Sequence, residues 1–315
     1  MSSEAVKQTS FGRLASLYLG PANRRQQSLT GLAMTLPAFV FFIVFIGIPI
    51  FRTVLLGFQK WDAISAPSWV GLDNYTKLLS DPIFRGALFV TLILTAGLTL
   101  FLTTIPMVVA VLFNMGWGAL GTIGRTLLFM PSIISFVVTG SLWRLILDPN
   151  LGSLNTLLGN VGLVNLQQNW LGDPNFVLWS IGAVAIWQEI GLYVIIFYAG
   201  LQGIDATLYE AASIDGANSF QRFWNVTVPM LRPVTIVVVT LNLLNGIKLF
   251  DVIWVMTKGG PVNASQTLGT YIYKVGFAST GLSDFGYGST LSTVILALCI
   301  LAVLFQIWMN RRTNV

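Results

Sequence analysis

An all-α integral membrane protein with about six transmembrane helices is the fold class this sequence predicts, on three observations. Of its 315 residues, 55% are hydrophobic and only 9% are charged, against about 25% charged in a soluble domain. Its mean hydropathy is +0.76. Apolar runs of about 20 residues, the length that crosses ~30 Å of hydrocarbon at ~1.5 Å per residue, recur along the chain. A surface this poor in charge meets lipid rather than water.

The runs are 32–51, 87–112, 123–146, 176–201, 234–256 and 289–309. Pro37, Gly47 and Pro49 in the first and Pro106 in the second would break helices in water. In a bundle, neighbouring helices and Ser/Thr side chains re-satisfy the freed backbone groups. The polar stretch before the first run carries Lys7, Arg13, Arg24 and Arg25 but no small-residue cleavage site follows, so the first run is expected to be a retained helix. The domains expected are a cytoplasmic N-terminal segment (1–31), a six-span transmembrane domain (32–310) and a cytoplasmic tail (311–315).

Orientation follows from Lys and Arg. With the N-terminus inside, nine of them (Lys7, Arg13, Arg24, Arg25, Arg125, Arg222, Arg232, Arg311, Arg312) fall on the cytoplasmic side. Seven fall outside: Arg52, Lys60, Lys77, Arg85, Arg144, Lys258 and Lys274. The cluster before the first span tips the balance, so both termini are expected in the cytoplasm. Three connections are then long and external (52–86, 147–175, 257–288), 113–122 is a short internal one, and 202–233 is a long, patterned internal one.

There is no His, and Cys299 is the one cysteine, so disulfides within the chain are impossible and Cys/His metal sites are not expected. The net charge of +5 is mild; in so apolar a chain it reports orientation, and no nucleic-acid partner is expected.

The loop 202–233 begins with Asp205, a good N-cap for a short helix, and Gly216 suits the left-handed residue that closes it. Asn218 or Ser219 then starts a second short helix, which Pro229 is expected to end. Glu210-Ala211-Ala212, Asp215-Gly216-Ala217, Phe223 and Pro229 together resemble the signature of bacterial and archaeal ABC importer permeases. The resemblance extends over most of the chain and points to the carbohydrate branch. Val70 to Tyr75 match that branch after the first span, and Pro131, Trp143 and Gly152 to Asn155 match it around the third. Phe250-Asp251, Thr257, Gly259-Gly260-Pro261, Thr267, Tyr271, Tyr273 and Phe277 match around and beyond the fifth. Where the branch usually has a Pro, at Asp205 or Ala206, this chain uses the N-cap instead.

What the resemblance implies is one permease subunit of an ATP-driven importer for a sugar or a related polyol such as a glycerol phosphate, in a bacterial or archaeal cell membrane. It implies a second, homologous permease, two ATPase subunits and an external solute-binding protein as partners, with lipid around the spans. The loop residues Glu210, Ala211, Ala212, Asp215, Gly216, Ala217 and Pro229 would dock on the ATPase. ATP and magnesium would be bound there, since no Gly-x-x-x-x-Gly-Lys-[Ser/Thr] occurs in this chain; this chain would carry no cofactor and no catalytic residue.

Polar residues inside spans are costly and so are candidates for the solute path. They are Gln188, Glu189 and Tyr193 in the fourth span, and Asn242, Asn245, Lys248 and Asp251 in the fifth, where Leu249 shares the face of Asn242 and Asn245 and Lys248 flanks it. Asn amides donate and accept, which suits sugar hydroxyls, and Trp187 and Tyr193 offer rings to an apolar sugar face. The other reading is that these residues hydrogen-bond across the bundle at ~0.6–2 kcal/mol each. Glu189 and Lys248 are expected at similar depth and to pair, or at least to share one polar cluster. Other classes stay open: a secondary transporter, a permease for a non-carbohydrate solute, or an intramembrane enzyme, which the lack of His and of clustered carboxylates disfavours.

Overall fold

The computed structural model describes residues 21–115, 118–277 and 283–311; Lys7, Arg13, Arg312 and the rest of the expected tail lie outside them. The chain forms two compact units, Met1–Leu55 and Leu56–Val315.

In the smaller unit, α1 (Pro21–Phe42) runs through a π-turn (Ile43–Gly47) into α2 (Ile48–Leu56). The helix starts inside the stretch expected as a separate segment 1–31. From Leu29 to Leu56 it is long and apolar enough to cross a membrane, and none of its most apolar stretch is buried, the pattern of a helix whose surroundings are themselves apolar. The π-turn has a local cause. The Ile48 N–H bonds to Ile43 O, five residues back, directly before Pro49. That wider turn relieves the clash between a proline ring and the carbonyl four residues before it.

The larger unit opens with a two-residue antiparallel pair, β1 (Gln59–Lys60) and β2 (Ser68–Trp69), and the short helix α3 (Asp73–Ser80). Next, α4 (Pro82–Asn114) starts five residues before the expected run, because Asp81 caps it and Pro82 takes the first helical position. α5 (Gly118–Phe129), a 3₁₀ turn (Met130–Ile133) and α6 (Phe136–Ile146) follow, then α7 (Ser153–Asn160) and α8 (Val177–Gln202). The expected 202–233 loop holds α9 (Ala206–Ile214), α10 (Ser219–Arg222), a π-turn (Phe223–Thr227) and α11 (Val228–Met230). The chain ends in α12 (Arg232–Ile247), α13 (Asp251–Thr257), α14 (Leu268–Phe277) and α15 (Phe285–Arg311).

Of the six expected spans, the first, second, fourth and sixth are single helical runs long enough to cross a membrane. The other two differ from a plain run. The third is bent by 100° between Ile133 and Phe136. Pro131 lies in the 3₁₀ turn, and Ser135 then caps a new helix by accepting from Val138 N–H. The bend frees the Ile134 carbonyl, and Gln188 Nε2 donates to it at 2.7 Å. α8 also meets this bend at Gly191, where an added Cβ would lie 1.9 Å from Leu128 O, so only glycine allows the approach. The fifth span is interrupted at Lys248–Phe250 rather than running from 234 to 256. Thr267 Oγ1 donates to Leu249 O inside this break. α12 is itself bent by 68° from the helical run Ser219–Met230 before it.

α4 packs along α8 and α12, and α13 packs on α6. Leu98 and Leu102 of α4, Ile181 and Val184 of α8, Val238 of α12 and Ile253 of α13 share one core. Between apolar helices in lipid there is little hydrophobic drive, so close packing and polar bonds hold such a bundle. At the end of the unit where α4 starts, those bonds are dense. Asp81 accepts from the Tyr271 and Tyr287 hydroxyls, and Lys77 pairs with Asp284 at 2.9 Å.

Candidate functional site

A cavity of about 310 Å³ opens between α4, α8, the start of α6 and the break after α12. Of the polar residues singled out in the spans, Glu189, Asn242, Asn245, Lys248 and Asp251 line it, together with Leu249. Leu98, Phe136, Ala185, Gly246 and Phe250 complete the wall. Helical spacing explains part of this convergence, since Asn242, Asn245 and Leu249 share one face of α12 and its exit. The break does the rest by turning Phe250 and Asp251 back toward the same space. No periodicity marks Leu98, Phe136 or Ala185, which are apolar residues in apolar runs.

Asn242 is 1% exposed, and neither its Oδ1 nor its Nδ2 has a hydrogen-bond partner among the described residues. A buried amide without partners is costly, and this one stands in the cavity wall.

Glu189 and Lys248 share the cavity but form no ion pair: among the described residues the one salt bridge is Lys77–Asp284. The expectation of a cluster holds and that of a direct pair does not. The reason is the break. Lys248 is the first residue past α12, outside the helical register, and it is exposed. Gln188 and Tyr193 lie outside the cavity wall: Gln188 is bonded to the bend at Ile134, and Tyr193 is fully buried in the core. Trp187 packs edge-on against Trp143, with ring centroids 5.5 Å apart.

The loop between α8 and α12 forms much as its residues dictate. Asp205 caps α9 by accepting from Thr207 N–H at 2.9 Å, and that bond holds its carboxyl below the usual range. Gly216 sits at φ +79°. Asn218 and Gln221 form a reciprocal capping box that starts α10. Pro229 does not end this helical run. The π-turn before it, closed by Val228 N–H to Phe223 O, lets the run continue through the proline to Met230, as the first π-turn does before Pro49. Glu210, Ala211, Asp215 and Gly216 are exposed, and Ala212 and Ala217 half-buried. Two side-chain bonds join the arms of the loop: Tyr209 Oη to Thr227 Oγ1 at 3.0 Å and Arg222 Nη1 to Ser213 Oγ at 3.0 Å.

Comparison with known proteins places this architecture. Residues 94–315 match the family described as binding-protein-dependent transport system inner membrane component. The chain is 34% identical over 291 residues to a probable ABC transporter permease of Pyrococcus horikoshii, covering 89% of this chain and 96% of that protein. It is 33% identical over 277 residues to the arabinooligosaccharides transport system permease AraP of Bacillus subtilis, covering 87% of this chain and 86% of that protein. In fold it is similar to a chain of a bacterial alginate ABC transporter crystallised with an alginate-bound periplasmic protein, with a TM-score of 0.79, 24% identity, and coverage of 91% and 96%. The chain therefore belongs to the family of binding-protein-dependent ABC transporter permeases.

Proposed function

We propose that this chain forms half of the path of an ATP-driven importer for a sugar or related polyol. It would work with a second permease, two ATPase subunits that bind the ATP and magnesium, and an external solute-binding protein. The observation that carries the solute class is the polar wall of one cavity, where Asn242, Asn245, Glu189 and Asp251 come together. Such a wall matches hydroxyl groups, which also donate and accept. Relatives named for arabinooligosaccharides and for trehalose and maltose support the same class.

The loop 202–233 is the element that docks on the ATPase in this reading. Glu210 and Asp215 present charge, Ala211 and Ala212 allow close approach, and Gly216 sets the angle between the two arms. The α12 break links that loop to the cavity through a single helix. Both termini then lie in the cytoplasm; a reporter fused near Asp73 should read outside, and fusions at Val315 and within 7–25 inside.

The test is uptake into proteoliposomes holding both permeases and the ATPases, with the binding protein supplied outside. Uptake of a labelled oligosaccharide should need ATP on the loop side and survive a proton ionophore. Asn242→Leu should raise the half-saturating solute concentration about tenfold, the cost of roughly one hydrogen bond, with the complex still assembled. Uptake driven by an ion gradient without ATP would end this reading.

A further inference from the structure

A second cavity, of about 350 Å³, lies between the spans and the loop. One wall is Val111 and Asn114 near the end of α4 and Leu201 at the end of α8; the other is Tyr209, Arg222 and Phe223 of the loop. Arg222 is half-buried there. Its guanidinium donates to two neutral hydroxyls, Ser213 Oγ at 3.0 Å and Ser219 Oγ at 3.3 Å, and no carboxylate lies within 4.0 Å of it among the described residues. A guanidinium is permanently charged and carries five N–H donors, so this one keeps both a charge and donors to spend. Asn114 lines the same space and offers an amide.

Depth and surroundings narrow what the charge is for. Asn114 and Leu201 stand at the last turns of two spans, which is the level where hydrocarbon gives way to headgroups. The cavity wall itself is apolar at Val111, Leu201 and Phe223. An anion with an apolar stem fits such a wall, and a cationic pocket between span ends is how membrane proteins hold phosphate headgroups.

We propose that this cavity binds the phosphate of an anionic membrane phospholipid, with Arg222 and Asn114 on the phosphate and the apolar wall on the glycerol and first methylenes. The site is separate from the solute cavity and does not depend on the identity of the solute.

The experiment uses the assembled importer in nanodiscs of phosphatidylcholine with phosphatidylglycerol, and counts retained phosphatidylglycerol by native mass spectrometry. The wild type, and Arg232→Gln as an exposed arginine at the same pole, should retain it. Arg222→Gln should lower retention about tenfold, the loss of one charge-assisted bond. Val111→Trp fills the cavity from the opposite wall without touching charge, and should expel the lipid as well; it decides the matter if Arg222→Gln fails to assemble. Retention unchanged in both variants would overturn the site. Displacement of the lipid by millimolar inorganic phosphate would instead make free phosphate the ligand and overturn the lipid assignment.

Discussion

The two ends of the larger unit are held by different kinds of bond. At the Asp81 end, side-chain bonds join residues far apart in sequence: Tyr271 and Tyr287 donate to Asp81, Lys77 reaches Asp284 and lies over the Tyr287 ring, and Thr290 donates to Gly57 O. Four segments are tied at one point. At the loop end, the side-chain bonds of residues 205–227 among the described residues reach at most 18 positions along the chain. Local bonds shape a segment without fixing it to the rest of the fold. The comparison teaches that the Asp81 end is tied across distant parts of the chain, whereas the side-chain bonds of the loop tie it mainly to itself.

The largest effect is expected where the ties are densest. Asp81→Ala removes a helix cap and two charge-assisted bonds and leaves two tyrosine hydroxyls without their acceptor. The loss should be on the order of 3 kcal/mol, read as the unfolding midpoint of the purified chain in detergent. Asp205→Ala, which removes an exposed cap in the loop, should cost about 1 kcal/mol. Equal losses would break the comparison. Acid sharpens it. Burial raises the Asp81 pKa, but the Tyr271 and Tyr287 bonds outweigh that and hold it below its ordinary value. A group depressed on folding stabilises fully above its unfolded pKa of about 4 and loses that contribution as pH falls through the folded value. The wild type should therefore lose stability below about pH 4 more steeply than Asp81→Ala.

The next effect is local and functional. Gly216 holds φ +79° with nothing within 4 Å of where a Cβ would stand. The cost of Gly216→Val is thus backbone strain alone, about 1–2 kcal/mol, confined to the bend between α9 and α10. Global unfolding should barely move, while solute-stimulated ATPase activity of the assembled importer falls; Glu210→Lys should do the same by reversing the exposed charge. Normal stimulation in both variants would remove the loop from the coupling role.

The loop was legible from its residues because its instructions are local. Asp205, Gly216 and Asn218 each act within three or four positions, and each stands in the conformation its chemistry favours. Asp81-Pro82 is an equally plain start signal, but it lies outside the apolar run and so outside a search by hydropathy. The bends were not legible, because proline does not decide them. Pro37 and Pro106 sit inside unbroken helices, Pro49 and Pro229 follow π-turns, and Pro131 lies at a 100° bend. What distinguishes Pro131 is tertiary: Gln188 takes up the freed carbonyl and Gly191 lets α8 approach the bent backbone. Lys248 follows the same logic. Its depth could be read from the run, but its direction depends on a break that Thr267 satisfies from eighteen residues away.

The smallest effect concerns how the loop moves as one piece. Tyr209 stands beside Glu210 on α9, and its hydroxyl meets Thr227 Oγ1 at the end of the π-turn leading to the 68° bend before α12. Thr227 is 3% exposed, so a displacement of α9 that keeps this bond must carry the π-turn with it. The second tie, Arg222 to Ser213, joins the same two arms nearer the Gly216 bend and has a shorter lever on α12. Tyr209→Phe removes one hydroxyl and should cost about 0.5–1.5 kcal/mol, too little to unfold the chain. Its signature lies in coupling: ATPase activity should persist while solute uptake per ATP hydrolysed falls. Thr227→Val should give the same loss, and the double variant no more than either alone, because both remove a single bond. Additive losses would mean that the two residues act separately, and the loop would then transmit through backbone alone.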